Sequence, residues 1–166
     1  MKHVLIGAAL LLAAPCGAAP SPATVLAGAL AAHDAGRFAE ARHGFRALAD
    51  QGSAIGETML GVMYAHGQGV TPDPATAVSY WFRAANRGYA PAQLALARAL
   101  AAGAGVAPDA TEAWLWASLA ARGGDEPMAS AARSLAAELR RGMAPGAARS
   151  LDRRLAAWRP WASAGE

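Results

Sequence analysis

The chain has 166 residues, 54% of them apolar and 16% charged, with a formal net charge of +3. That length holds one modest domain, and 48 alanines against 11 aromatic residues spread the apolar surface over small side chains, which favours helices packed at close range. A single cysteine, Cys16, excludes a disulfide scaffold.

Residues 1–19 have the pattern of a secretory signal peptide. Lys2, the sole lysine, is followed by an uncharged apolar run from Val4 to Ala14 and by the small residues around Gly17, Ala18 and Ala19. Cleavage after Ala18 or Ala19 is expected, and with it a periplasmic or secreted protein. Pro15, Pro20 and Pro22 interrupt the run well short of the roughly 20 residues of a spanning helix, so no stable transmembrane segment is expected after cleavage. Cys16 follows Pro15 where a lipidation signal takes Gly, Ala or Ser, which argues against a lipid anchor; the cysteine leaves with the leader.

The remaining elements read as helical hairpins. Residues 20–52 form the first, with a tight turn at Asp34, Ala35, Gly36, Arg37 and Phe38. In residues 53–88, a helix from Ala54 to Ala65 is stopped by Gly67 and Gly69, which take left-handed backbone conformations cheaply. Asp73 caps the next helix with Pro74 at its first position, and Gly88 ends it. Residues 89–124 repeat the plan with Ala92 to Ala101, Gly103, Gly105, a capping box at Asp109 and Glu112, and Gly124. Residues 125–158 are expected to form a last, capping hairpin from Met128–Arg141 and Pro145–Trp158, followed by a tail over 159–166.

Laid against itself at an offset of 36, the chain aligns Leu60 with Leu96, Gly67 with Gly103, Gly69 with Gly105, Val70 with Val106, Asp73 with Asp109, Ala77 with Ala113 and Gly88 with Gly124. Tyr80 falls on Trp116, and Phe45 on Trp81. A fixed period in this range marks stacked supersecondary units. The run L-G-x-x-Y-x-x-G-x-G-V-x-x-D from Leu60 to Asp73, followed by Ala77, Trp81, Ala84, Ala85 and Gly88, resembles the Sel-one-like repeat (SLR), a relative of the tetratricopeptide repeat. The following unit departs from the pattern with Ala97 for Gly61, Leu100 for Tyr64 and Ala117 for Trp81.

The resemblance implies an all-α fold, a right-handed α-solenoid of stacked antiparallel hairpins. It also implies a non-enzymatic protein–protein interaction module, an adaptor, scaffold or regulator of the bacterial cell envelope, whose partner is an envelope component or a membrane sensor. In tetratricopeptide-type solenoids the first helices line the inner wall. Met59, Met63 and His66, at helical spacings of four and three, are therefore the expected partner-binding face, with Ala95, Ala99 and Ala102 one unit later. Trp81, Trp114 and Trp116 are expected in the core between helices, whereas Trp158 and Trp161 are freer to meet a partner.

No catalytic residue, metal site or cofactor is expected. Gly67 and Gly69 lack the preceding strand and the Gly-Lys-Ser/Thr of a phosphate loop. His33, His43 and His66 do not recur at a ligand spacing, and no Gly-x-Ser-x-Gly is present. The rival readings are a cell-wall- or lactam-directed hydrolase and a binder of anionic glycan or lipid. The second rests on Arg133, Arg140, Arg141, Arg149, Arg153, Arg154 and Arg159, which face only Glu138 and Asp152 over residues 133–159. Nucleic acid is not expected as a partner of an exported chain.

Overall fold

Pro22, Pro74, Pro91 and Pro127 fall in the first turn of a helix, where the missing N–H is not needed. Ser21, Ser53, Asp73, Asp109 and Asp125 cap helices through side-chain oxygens that accept from backbone N–H groups of the first turn. These local signals set the boundaries seen in a computed structural model that describes residues 20–161. It contains α1 (Pro22–Asp34), α2 (Phe38–Asp50), α3 (Ala54–His66), α4 (Pro74–Asn86), α5 (Ala90–Ala102), α6 (Ala110–Gly123), α7 (Glu126–Arg141) and α8 (Pro145–Ala157), and among the described residues no strand. The expected leader and the last five residues of the expected tail lie outside the described residues. No described helix is long and apolar enough to cross a membrane.

Helices pair as α1–α2, α3–α4 and α5–α6, and each pair packs on the next through α2–α3, α4–α5 and α6–α7. The chain is thus a helical solenoid in which contacts run chiefly between sequence neighbours. Alanine makes the close approach possible: Ala32, Ala41, Ala77, Ala84, Ala85, Ala92, Ala97, Ala113, Ala117 and Ala120 are all fully buried. Larger side chains fill the layers between them, Phe45, Leu48, Leu60 and Met63 near the N-terminal end and Leu96, Trp114, Leu115, Trp116 and Leu119 further on.

The last two helices do not form the expected hairpin. α7 packs along α6, and α8 also returns to α6, so α7 and α8 do not run along one another. The cause is the apolar stripe Leu151, Leu155 and Trp158, which joins the core built by α5 and α6. Polar contacts hold the crossing: Arg140 of α7 grips Asp152 of α8 with two hydrogen bonds of 2.9 Å, Arg154 pairs with Glu112, and Arg122 donates to the Leu155 carbonyl. Glu112 is therefore not half of a capping box. The Asp109 N–H that it would serve donates to the Leu100 carbonyl at 3.0 Å instead.

The repeat glycines differ in conformation. Gly67 and Gly103 cap α3 and α5 with φ of 67° and 70°, and Gly69, Gly88 and Gly105 also take positive φ. Gly124 does not: it leaves α6 in extended backbone, φ −87° and ψ 161°, because Asp125 must start α7 at once.

Candidate functional site

α3 presents its open side through Ile55, Met59, Val62 and His66, which are half-buried except for the exposed His66. Met63 lies one step round the helix, beside Leu60, and is fully buried in the core with Phe45. It is a packing residue, and the expected Met59–Met63–His66 face is corrected to one without it. Sequence spacing alone could not separate the two phases, since residues four apart share a side of a helix without sharing its solvent exposure.

The larger feature is a set of clefts repeated at the same 36-residue offset on another side of the stack. The first is lined by Ala39, Arg42, His43, Arg46, Leu60 and Tyr64, from α2 and α3. The second, of about 490 Å³, is lined by Val78, Ser79 and Phe82 of α4, Leu96 and Leu100 of α5, Val106, and Trp116 of α6, with Arg83 and Glu112 at its edge. Val78, Ser79, Phe82, Leu96 and Leu100 are the repeat equivalents of Arg42, His43, Arg46, Leu60 and Tyr64. The third cleft holds Trp114, Ser118 and Ala136, the next equivalents of Val78, Phe82 and Leu100, together with Arg133 and Arg140.

Aromatic side chains rim the second cleft. Phe82 is 45% exposed and Trp161 52%, with their rings edge-to-face at 5.9 Å. Trp116 meets Phe82 at 6.2 Å and Trp158 at 6.3 Å, and the backbone N–H of Trp161 donates to the Asn86 carbonyl at 2.7 Å. Trp158 is thus half-buried packing, whereas Trp161 is open to solvent at the rim. Phe82 was not singled out from the sequence. The signal was there: its repeat equivalents Arg46 and Ser118 are polar, which marks the position as outward-facing.

Charge around the clefts is unevenly answered. Arg46 is tied to Asp50 and donates to the Tyr80 hydroxyl at 3.2 Å, and Tyr80 stacks on Tyr64. Arg42 is exposed and makes no ion pair among the described residues. In the arginine-rich end, Arg133, Arg140 and Arg154 are already paired with Glu126, Asp152 and Glu112, which weakens it as a free anionic-polymer site. The hydrogen bonds from Arg140 hold the Asp152 carboxyl below the usual carboxylate range. A lowered carboxyl stabilises the fold above its unfolded value, and that contribution is lost as pH falls through the folded one. Asp152→Asn is therefore expected to remove part of the acid sensitivity of α8 docking, read by tryptophan fluorescence between neutral and acid pH; identical acid transitions would contradict it. Among the described residues no three His, Cys, Asp or Glu side chains converge as metal ligands.

Stacked hairpins, a 36-residue period and glycine-stopped first helices define a helical-repeat protein of the solenoid class. Residues 54–89 and 90–125 each match the Sel1 repeat family, so the chain carries two Sel1 repeats. Its backbone resembles c5321, a protective antigen of uropathogenic Escherichia coli displaying an SLR fold, with a TM-score of 0.72 and 17% identity over 88% of this chain and 34% of that one. It also resembles a Sel1 repeat protein from Oxalobacter formigenes, with a TM-score of 0.68 and 22% identity over 88% and 59%. The chain thus spans about a third of the first structure and under two thirds of the second. No curated protein matches it by sequence. Sel1 repeat proteins are generally non-catalytic protein-interaction modules.

Proposed function

We propose that this chain is an exported, non-enzymatic adaptor or regulator of the bacterial cell envelope, and that it binds a partner protein at the apolar cleft between α4, α5 and α6. One observation carries the reading. Among the described residues the exposed large apolar side chains are Leu30, Phe82 and Trp161, and two of these three meet at the rim of one cleft. Covering the open half of each ring, on the order of 100 Å² apiece, would contribute about 2 kcal/mol per ring. Aromatic anchors in a desolvated pocket are where interface energy concentrates. The leader pattern of residues 1–19 supports export.

A photo-crosslinking residue at Ser79, inside the cleft, is expected to give an adduct with one protein in intact cells, and Phe82→Glu should abolish it. An adduct only from His66 would move the interface to the first-helix face; none from either position would overturn the reading. Export is checked by N-terminal sequencing, with Ala19 or Pro20 expected first and an intact Met1 in the soluble fraction contradicting it.

A further inference from the structure

The repeat equivalence of the clefts says more about the partner than the apolar cleft does alone. Equivalent positions of a solenoid face the same way, one unit apart, so a segment seated in the second cleft runs on toward its neighbours. The third is closed in charge: Arg133 and Arg140 are answered by Glu126 and Asp152, and the Arg140 guanidinium lies over Trp114. The first is open in charge, with Arg42 exposed and unpaired among the described residues, His43 exposed beside it, and Arg46 next along the helix. Nearby carboxylates are already engaged, Glu40 by Arg37 and Asp50 by Arg46. At the second cleft Glu112 is held by Arg154, and Arg83 lies over the Tyr80 ring on the side of the first. The charge left to a visitor is positive and lies at one end.

Resting on the reading of this chain as a protein-interaction module, we infer that the first two clefts are successive subsites for one segment of a partner protein, carrying an acidic residue for Arg42 and, one repeat away, a bulky apolar residue for Phe82. A carboxylate on a free guanidinium forms the stronger, directional kind of hydrogen bond, while the apolar anchor supplies desolvation. A basic segment would face Arg42, Arg46 and His43, with the carboxylates described around the two clefts, Glu40, Asp50 and Glu112, already engaged, so the same pair of clefts rejects as well as selects.

The test uses the mature full chain as bait for a displayed library of random linear peptides, with Arg42→Glu and Phe82→Ser as comparison baits. Ser118, the repeat equivalent of Phe82, indicates that the helix position accepts serine, and circular dichroism melts verify that both variants fold. Enriched peptides are expected to carry Asp or Glu at a fixed distance from Phe, Leu or Trp, and to bind each variant at least tenfold more weakly. Selection on Arg42→Glu should instead enrich Lys or Arg at the acidic position. Peptides that lose binding to Phe82→Ser but bind Arg42→Glu undiminished overturn the acidic subsite and leave the apolar-cleft reading standing. Peptides indifferent to both variants, or no enrichment at all, overturn both.

Discussion

Gly105→Ala is expected to cost about 3–5 kcal/mol of stability, several times an ordinary surface substitution. Two terms combine. Gly105 holds φ at 76°, a left-handed conformation that alanine resists. An added Cβ would also run into the carbonyl of Pro74 and the nitrogen of Ala75, which are backbone atoms at the start of α4 and cannot swing aside. The preceding unit makes the same contact, since a Cβ on Gly69 would come within 2.7 Å of the Phe38 Cβ at the start of α2. The second glycine of each Gly-x-Gly therefore docks one unit onto the second helix of the unit before. Gly36 supplies the control: its φ is 72° but a Cβ there meets nothing within 4 Å, so Gly36→Ala should cost only about 1 kcal/mol. Equal urea midpoints for the two variants would mean that the loop is not docked in this way.

Arg83→Met with Arg87→Met should be nearly as damaging, at about 3–5 kcal/mol, because a buried charge left without its partner is worse than no charge. Glu57 is fully buried on α3. Arg83 Nη2 lies 2.6 Å from its Oε1 and Arg87 Nε 3.5 Å from its Oε2, although neither oxygen accepts a well-aligned hydrogen bond from a described residue. The pairing is one of charge and proximity, and it clamps α3 to α4. The third unit shows the neutral alternative. Gln93 replaces Glu57, donates to the Ala85 carbonyl at 3.1 Å, and has Leu119 and Gly123 where the second unit has the two arginines. Adding Glu57→Gln to the double variant is accordingly expected to restore most of the lost stability in thermal melts. A double variant that melts with the parent would show that the clamp contributes little.

Signals confined to a few neighbouring residues were legible in the sequence. Asp73 and Asp109 as caps and Gly67 and Gly103 as stops each reflect one turn of backbone and its partners, and the 36-residue period is the recurrence of those same local signals. What required the assembled stack was harder to read. The path of α8 depends on whether Leu151 and Leu155 find more apolar surface on α6 than on α7, a comparison between distant elements. Only a small rotation of the helix separates the buried Met63 from the half-buried Met59, and the exposed Phe82 stands next to Trp81, which carries the repeat signature. Trp158 sounded free because it stands near the chain end, yet the end folds back onto Trp116.

The wear in the third repeat also has an internal logic. In the second unit the Trp81 indole lies on the backbone of Gly61, donating to the Thr58 carbonyl at 3.3 Å, so that any side chain at Gly61 would strike the ring. The same two positions one unit later hold Ala97 and Ala117, both fully buried. The two positions are therefore coupled in the order of exchange: an alanine at Gly61 is accommodated only once the Trp81 indole has been cut back, and by the same equivalence a tryptophan at Ala117 only once Ala97 has lost its methyl group, so each pair changes as a unit.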